Sequence, residues 1–163
     1  MHYFYVNYQS YTKLCNFQEN QNFEGEIILS ENFRERNFGV FEGMDFDEFY
    51  GEICSRVGSK SLSDVLMYDD DESAESVSDV KTRALQGVQR ILDTLNEGES
   101  ALIASHGAFM IYLAMLIRDH FKCQMPDLGP AMKSPKNTAL LQFSVDKKDL
   151  KFECEKFFSC DHL

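Results

Sequence analysis

The sequence holds no tryptophan, three prolines, four histidines and six arginines in its 163 residues. Positive charge is scarce: 16 Lys and Arg stand against 27 Asp and Glu, a net charge of −11. That balance argues against a nucleic acid or an anionic membrane as partner, since each needs a basic face. An anionic ligand would need a local positive pocket, built from among Arg34, Arg36, Arg56, Arg83, Arg90 and Arg118. No apolar run reaches the ~20 residues of a membrane span. The nearest, residues 108–117, is stopped by Arg118-Asp119-His120. Residues 1–22 are too polar for a secretory segment and lack a basic start. Five cysteines at irregular spacing suit a reducing compartment, so a cytoplasmic location is expected. Cys154, Cys160 and His162 are too loosely spaced to be read as a zinc site, and neither metal nor cofactor is expected. Internal repeats are absent.

What the chain does have is 44% apolar residues, enough for a real core in one domain or part of a larger one. The stretch Ala101-Leu102-Ile103-Ala104-Ser105-His106-Gly107-Ala108-Phe109 organises the rest. Its first half reads as a strand buried on both faces. Residues 108–117 read as a helix buried nearly all round. His106 and Gly107 sit at the switch, where ligands bind in open α/β sheets and where helix N–H groups favour an anion. A glycine there lets the main chain approach a ligand.

In chain order, residues 2–8 are strand-forming, residues 26–29 form a short strand, and residues 30–32 form a turn. Residues 33–43 mix two arginines, two glutamates and three phenylalanines between glycines, as a functional loop does. Residues 45–57 read as a helix capped by Asp45, with Phe46, Phe49, Tyr50 and Ile53 on one face. Residues 58–78 read as a solvated acidic loop, and residues 76–95 as an amphipathic helix ended by Gly98. Residues 122–136 carry all three prolines and read as an extended loop. Residues 138–145 and 150–155 form a hairpin, with Leu150, Phe152 and Cys154 on its buried face. Strands interleaved with helices make the class α/β.

Arg34-Glu35-Arg36-Asn37-Phe38-Gly39-Val40-Phe41-Glu42-Gly43 resembles the Glu-Arg-aromatic-Gly…Glu-Gly segment of the histidine phosphatase superfamily, the phosphoglycerate-mutase-like proteins. Ser105-His106-Gly107 resembles that family's second histidine motif. Glu75-Ser76 ahead of Arg83 resembles the start of the helix before it. Three further features resemble the TIGAR-type fructose-2,6-bisphosphatases. They are residues 105–110, residues 121–126 and Pro135-Lys136-Asn137-Thr138. The resemblance implies an incomplete three-layer α/β/α domain over residues 23–163, its mostly parallel sheet lacking the family's first strand. Residues 1–22 would be an atypical N-terminal segment.

The family's chemistry is phosphate monoester hydrolysis through a covalent phosphohistidine, without a metal. Carried onto this chain, Glu35 would be the general acid and His106 the second histidine. Arg34, Arg36, Gly107 and Asn137 would line the phosphate site. A phosphorylated small molecule would be the partner, and a second chain could pair with an open sheet edge.

The family's nucleophile lies in Arg-His-Gly, and this sequence has no such motif. His106-Gly107 is its one His-Gly pair, and no histidine lies between His2 and His106. Residues 3–8 are expected to fill the vacant strand position, putting Tyr8-Gln9-Ser10 where Arg-His-Gly belongs. Three readings follow. The chain is a shortened form of a phosphatase, inactive alone; or a catalytically dead phosphate-binding or regulatory protein; or an active phosphatase using His106 differently.

Overall fold

The computed structural model describes residues 2–6, 26–69, 72–126 and 135–162. Three parallel strands form its central sheet in the order β2-β1-β3: β1 is His2–Val6, β2 is Glu26–Leu29 and β3 is Ser100–Ala104. In register, Phe4 sits opposite Ile27 on one side and Leu102 on the other. Residues 2–6 of the strand read at residues 2–8 therefore take the middle place, beside β3. Tyr8-Gln9-Ser10 lies outside the described residues.

Helix α1 (Phe46–Val57) starts where expected, with Asp45 accepting from the Glu48 N–H at 2.9 Å. Helix α2 (Leu62–Leu66) corrects the reading of residues 58–78 as a solvated loop. It is one turn long, yet its Leu62, Val65 and Leu66 are buried. Their i, i+3, i+4 spacing gives even one turn an apolar face. Helix α3 (Val77–Thr94) is capped by Ser76, whose hydroxyl accepts from Asp79 N–H at 3.0 Å. It stops at an extended Leu95, not at Gly98, which belongs to the turn closed by the Glu99 N–H donating to Asn96.

Helix α4 (Gly107–His120) follows β3 after two residues. Phe109 and every residue from position 111 to 117 are buried, so the helix is enclosed nearly all round as its composition requires. It packs with α3 in the main core. The antiparallel hairpin of β4 (Leu140–Asp146) and β5 (Lys151–Ser159) adds Phe152, whose ring lies 4.3 Å from that of Phe121. Leu150 does not join the hairpin's buried face; it sits in the turn and is exposed. β3 is not buried on both faces either. Ala101 and Ile103 pack toward the core, whereas Leu102, pointing the opposite way, is 45% exposed. Among the described residues no helix is long and apolar enough to cross a membrane.

Candidate active site

The site forms where β3 ends and α4 begins. The first N–H groups of a helix have no partner within it and draw in an acceptor. His106 occupies the N-cap position in extended conformation, and its side chain makes no capping bond. Glu35 fills that role from a distant segment. Its carboxylate accepts from Phe109 N–H at 2.8 Å, from Ala108 N–H at 3.2 Å and from Arg36 N–H at 2.9 Å. Burial pushes the Glu35 carboxyl above the usual carboxylate range. The three N–H donors and the charge of nearby His106 offset only part of that rise. A carboxyl with a raised pKa holds its proton more readily than a free one, as a proton donor must.

The segment carrying Glu35 is laced down from several sides. Ser105 donates its hydroxyl to Phe33 C=O at 2.7 Å, fastening it to the end of β3. The Arg83 guanidinium, projecting from α3, donates to the carbonyls of Asn32, Arg34 and Glu35 at 3.1, 2.8 and 3.2 Å. Arg83 also grips Glu75, with Nε 2.7 Å from Oε1. Arg34 binds the same carboxylate through both terminal nitrogens, at 2.9 and 2.8 Å. Burial works to raise the pKa of Glu75. The Arg83 hydrogen bonds and charge, the Asn37 N–H and Arg34 outweigh it, and the net shift is downward.

Arg36 is buried among its own chain. All five of its N–H donors have acceptors. Nε donates to Glu75 C=O, Nη1 to Leu66 C=O and the Tyr112 hydroxyl, and Nη2 to Tyr68 C=O and Asp69, all between 2.8 and 3.0 Å. Tyr112 in turn donates to Leu66 C=O, and its pKa is pushed up to about 12, chiefly by burial. Arg36 thus ties the loop after α2 to the site and keeps no donor for a ligand. Arg34 retains an exposed side, with 36% of its side chain accessible. Asn137 sits in an exposed turn ahead of β4, where its C=O accepts from the Thr138 hydroxyl.

Gly39 explains the glycine of the first motif. Its φ is +60°, and an added Cβ would fall 2.2 Å from the Ser73 hydroxyl and 2.7 Å from the Ala74 backbone nitrogen. Only glycine lets residues 37–43 fold against the turn ahead of α3. Beside Glu35 this loop encloses a cavity of about 310 Å³. Gly107, Ala108 and Ile111 of α4 bound one side, Leu62 and Leu66 of α2 another. The remainder is Phe38, Phe41, Glu42, Gly43, Met44, Phe46 and Phe49.

The structure therefore brings together Glu35, His106 and Gly107, with Arg36 behind them. Arg34 turns to Glu75, and neither it nor Asn137 is among the described residues that line the cavity. The aromatic wall and the Arg83–Glu75 clamp were not among the expected site residues. The wall had a signal in the sequence, the phenylalanines crowding residues 33–49. Among the described residues no cluster of His, Cys, Asp and Glu could hold a metal ion.

Solved structures share this architecture. The YhfR protein of Bacillus stearothermophilus superposes with a TM-score of 0.72, over 98% of this chain and 74% of that one, at 22% identity. A mycobacterial glucosyl-3-phosphoglycerate phosphatase superposes with a TM-score of 0.65, over 96% of this chain and 76% of that one, at 15% identity. A mycobacterial hydrolase gives 0.66, over 96% and 74%, also at 15% identity. At these identities the likeness is one of fold. A comparison with curated proteins returns no match. The sequence profile of the Histidine phosphatase superfamily (branch 1) matches residues 16–154, a span that takes in Glu35, Glu75, Arg83 and His106. The chain belongs to the histidine phosphatase superfamily.

Proposed function

We propose that this chain binds a phosphate monoester at the junction of β3 and α4, and that these 163 residues alone do not turn it over. One observation carries the reading. Glu35 is half-buried at the start of α4, close to His106, with its pKa raised, and it lines a cavity. In the family reaction a histidine nitrogen bonds to phosphorus as the phosphorus–oxygen bond breaks, and a carboxylic acid gives its proton to the departing oxygen. Glu35 fits the proton donor, and His106 fits a holder of the phosphoryl oxygens. The missing partner is the nucleophile, since the sequence contains no Arg-His-Gly. Elsewhere, loss of a covalent nucleophile lowers turnover by roughly a million-fold.

The chain then represents a phosphatase without its nucleophile-bearing segment. The finer kinship with TIGAR-type fructose-2,6-bisphosphatases rests on the three sequence features described above. A cytoplasmic setting goes with the described cysteines, which are all free. The seating of β1 between β2 and β3 favours a second reading, a self-standing phosphate-binding or regulatory protein, because it leaves the middle of the sheet closed.

Both readings share one test. With p-nitrophenyl phosphate, the purified chain is expected to match its His106→Ala variant in rate, and no phosphohistidine should form. Inorganic phosphate should raise the melting temperature of the parent chain more than that of His106→Ala. Histidine labelling, or a rate that falls when His106 is removed, would overturn the proposal.

A further inference from the structure

We infer that the ligand's alcohol half is an apolar body, aryl or branched alkyl, and not a phosphorylated sugar. The inference rests on the reading of this junction as a phosphate ester site. If Glu35 faces the ester oxygen, whatever fills the cavity beside it is the alcohol half.

Phe38, Phe41, Phe49, Leu66 and Ile111 give the cavity its walls. Among the described lining residues the charged groups are Glu35 and Glu42, both acids, and no lysine or arginine is present. A sugar brings a hydroxyl on nearly every carbon, and each loses water on entering without gaining a partner from these walls. A second phosphate would face Glu42 with no cation to balance it. An aromatic ring meets the opposite conditions. Phe38 and Phe49 already lie edge to face, with centroids 5.0 Å apart and planes at 65°, and Phe41 meets Phe49 in the same manner at 5.7 Å. A planar ligand extends that packing pattern. At about 310 Å³ the cavity falls at the small end of ligand pockets, suited to one or two fused rings.

The mouth supports the same conclusion. Met44 and Phe46 line the cavity and remain 45% and 49% exposed. The floor, by contrast, is closed: Phe41, Ile53 and Val65 form their own buried cluster. Among the large apolar residues that line the cavity, Met44 and Phe46 are thus the ones left exposed, where a ligand would enter.

The absence of tryptophan makes the experiment direct, because naphthyl fluorescence excited beyond the tyrosine absorption band carries no tryptophan emission beneath it. The full chain is titrated with 1-naphthyl phosphate, 1-naphthol, methyl phosphate and fructose 2,6-bisphosphate, with calorimetry for the non-fluorescent ligands. 1-Naphthyl phosphate is expected to bind at least tenfold tighter than methyl phosphate or fructose 2,6-bisphosphate. Met44→Ser and Phe46→Ser change exposed positions without adding charge, and circular dichroism verifies their folding. Each should weaken 1-naphthyl phosphate several-fold and leave methyl phosphate unchanged. His106→Ala should weaken both phosphates and leave 1-naphthol unchanged.

Equal affinity for methyl and naphthyl phosphates would overturn the apolar-body inference and leave the phosphate site standing. Tighter binding of fructose 2,6-bisphosphate would do the same. Equal affinity for 1-naphthol and 1-naphthyl phosphate, insensitive to His106, would overturn the phosphate site itself. No binding of any of the four would overturn the inference.

Discussion

A carboxylate at a helix N-terminus is normally stabilised in its charged form by the N–H groups and the dipole. Glu35 has that setting and yet its pKa is raised, because the cost of burying the charge exceeds what three N–H donors and His106 return. The shift has a consequence for stability. The folded chain holds this proton more tightly than the unfolded chain, whose value is near 4.5. The Glu35 contribution is therefore fully present below pH 4.5 and is lost as pH rises through the folded value. Glu75 has the opposite sign: its lowered pKa gives stability above pH 4.5 that is lost as pH falls. A single pH curve mixes the two, so the comparison must be with Glu35→Gln, which keeps an oxygen for the Phe109 N–H. Urea unfolding from pH 4 to pH 7 should show the variant gaining on the parent chain as pH rises. A constant difference across that range would mean that the Glu35 proton is not held by folding.

At the scale of elements, the site depends on how closely the segment before Glu35 lies on α3. Gly87 sets that distance. An added Cβ there would fall 2.6 Å from Phe33 Cζ, 2.7 Å from Phe33 Cε1 and 3.0 Å from Asn32 Cβ. Phe33 is fully buried and stands edge-on to Phe109 at 6.1 Å, so the ring has no room to retreat. Alanine in a helix gains about 1 kcal/mol over glycine, but overpacking costs about 1–3 kcal/mol. Gly87→Ala should lose on the order of 1 kcal/mol net in denaturant unfolding, where the two effects partly cancel. Gly51 of α1 has open space around it, so Gly51→Ala should gain stability and serve as the control. If Gly87→Ala also gained, the packing of Phe33 on α3 would be looser than described. The same elements mark what a sequence can convey. The 3.6-residue spacing of Val80, Ala84, Val88 and Ile91 announces α3, and the unbroken apolar run announces α4. Glu35 and His106 are legible because fixed neighbours flank them. The Arg36 web is not, because three of its five acceptors are backbone carbonyls, at Leu66, Tyr68 and Glu75, and carbonyls leave no trace in residue type. Helix α2 is hidden for another reason: a single turn is too short to show a period amid acidic neighbours.

For the molecule as a whole, the positive charges that matter most to the site lie inside it. Arg36 is 4% exposed, and Arg83 has 11% of its side chain accessible. The surface is thus still more negative than the net charge of −11 indicates. Exposed pairs such as Arg56–Glu52 and Lys151–Glu153 offset little of this, since surface ion pairs are worth about 0–1 kcal/mol each. Salt acts on the two kinds of interaction unequally. At ~0.15 M the screening length is about 8 Å, so repulsion across the molecule is largely removed while contacts shorter than 3 Å, partly shielded from solvent, survive. Raising sodium chloride from ~10 mM to ~0.5 M should therefore raise the melting temperature. Relief of about 1 kcal/mol corresponds to a rise of about 2–4 °C for a chain of this size. Calorimetry should be run at neutral pH in a buffer free of phosphate and other oxyanions, so that the ion cannot act as a ligand. A melting temperature that fell with salt would mean that the close pairs around Glu75, and not the net negative charge, dominate the electrostatics of the fold.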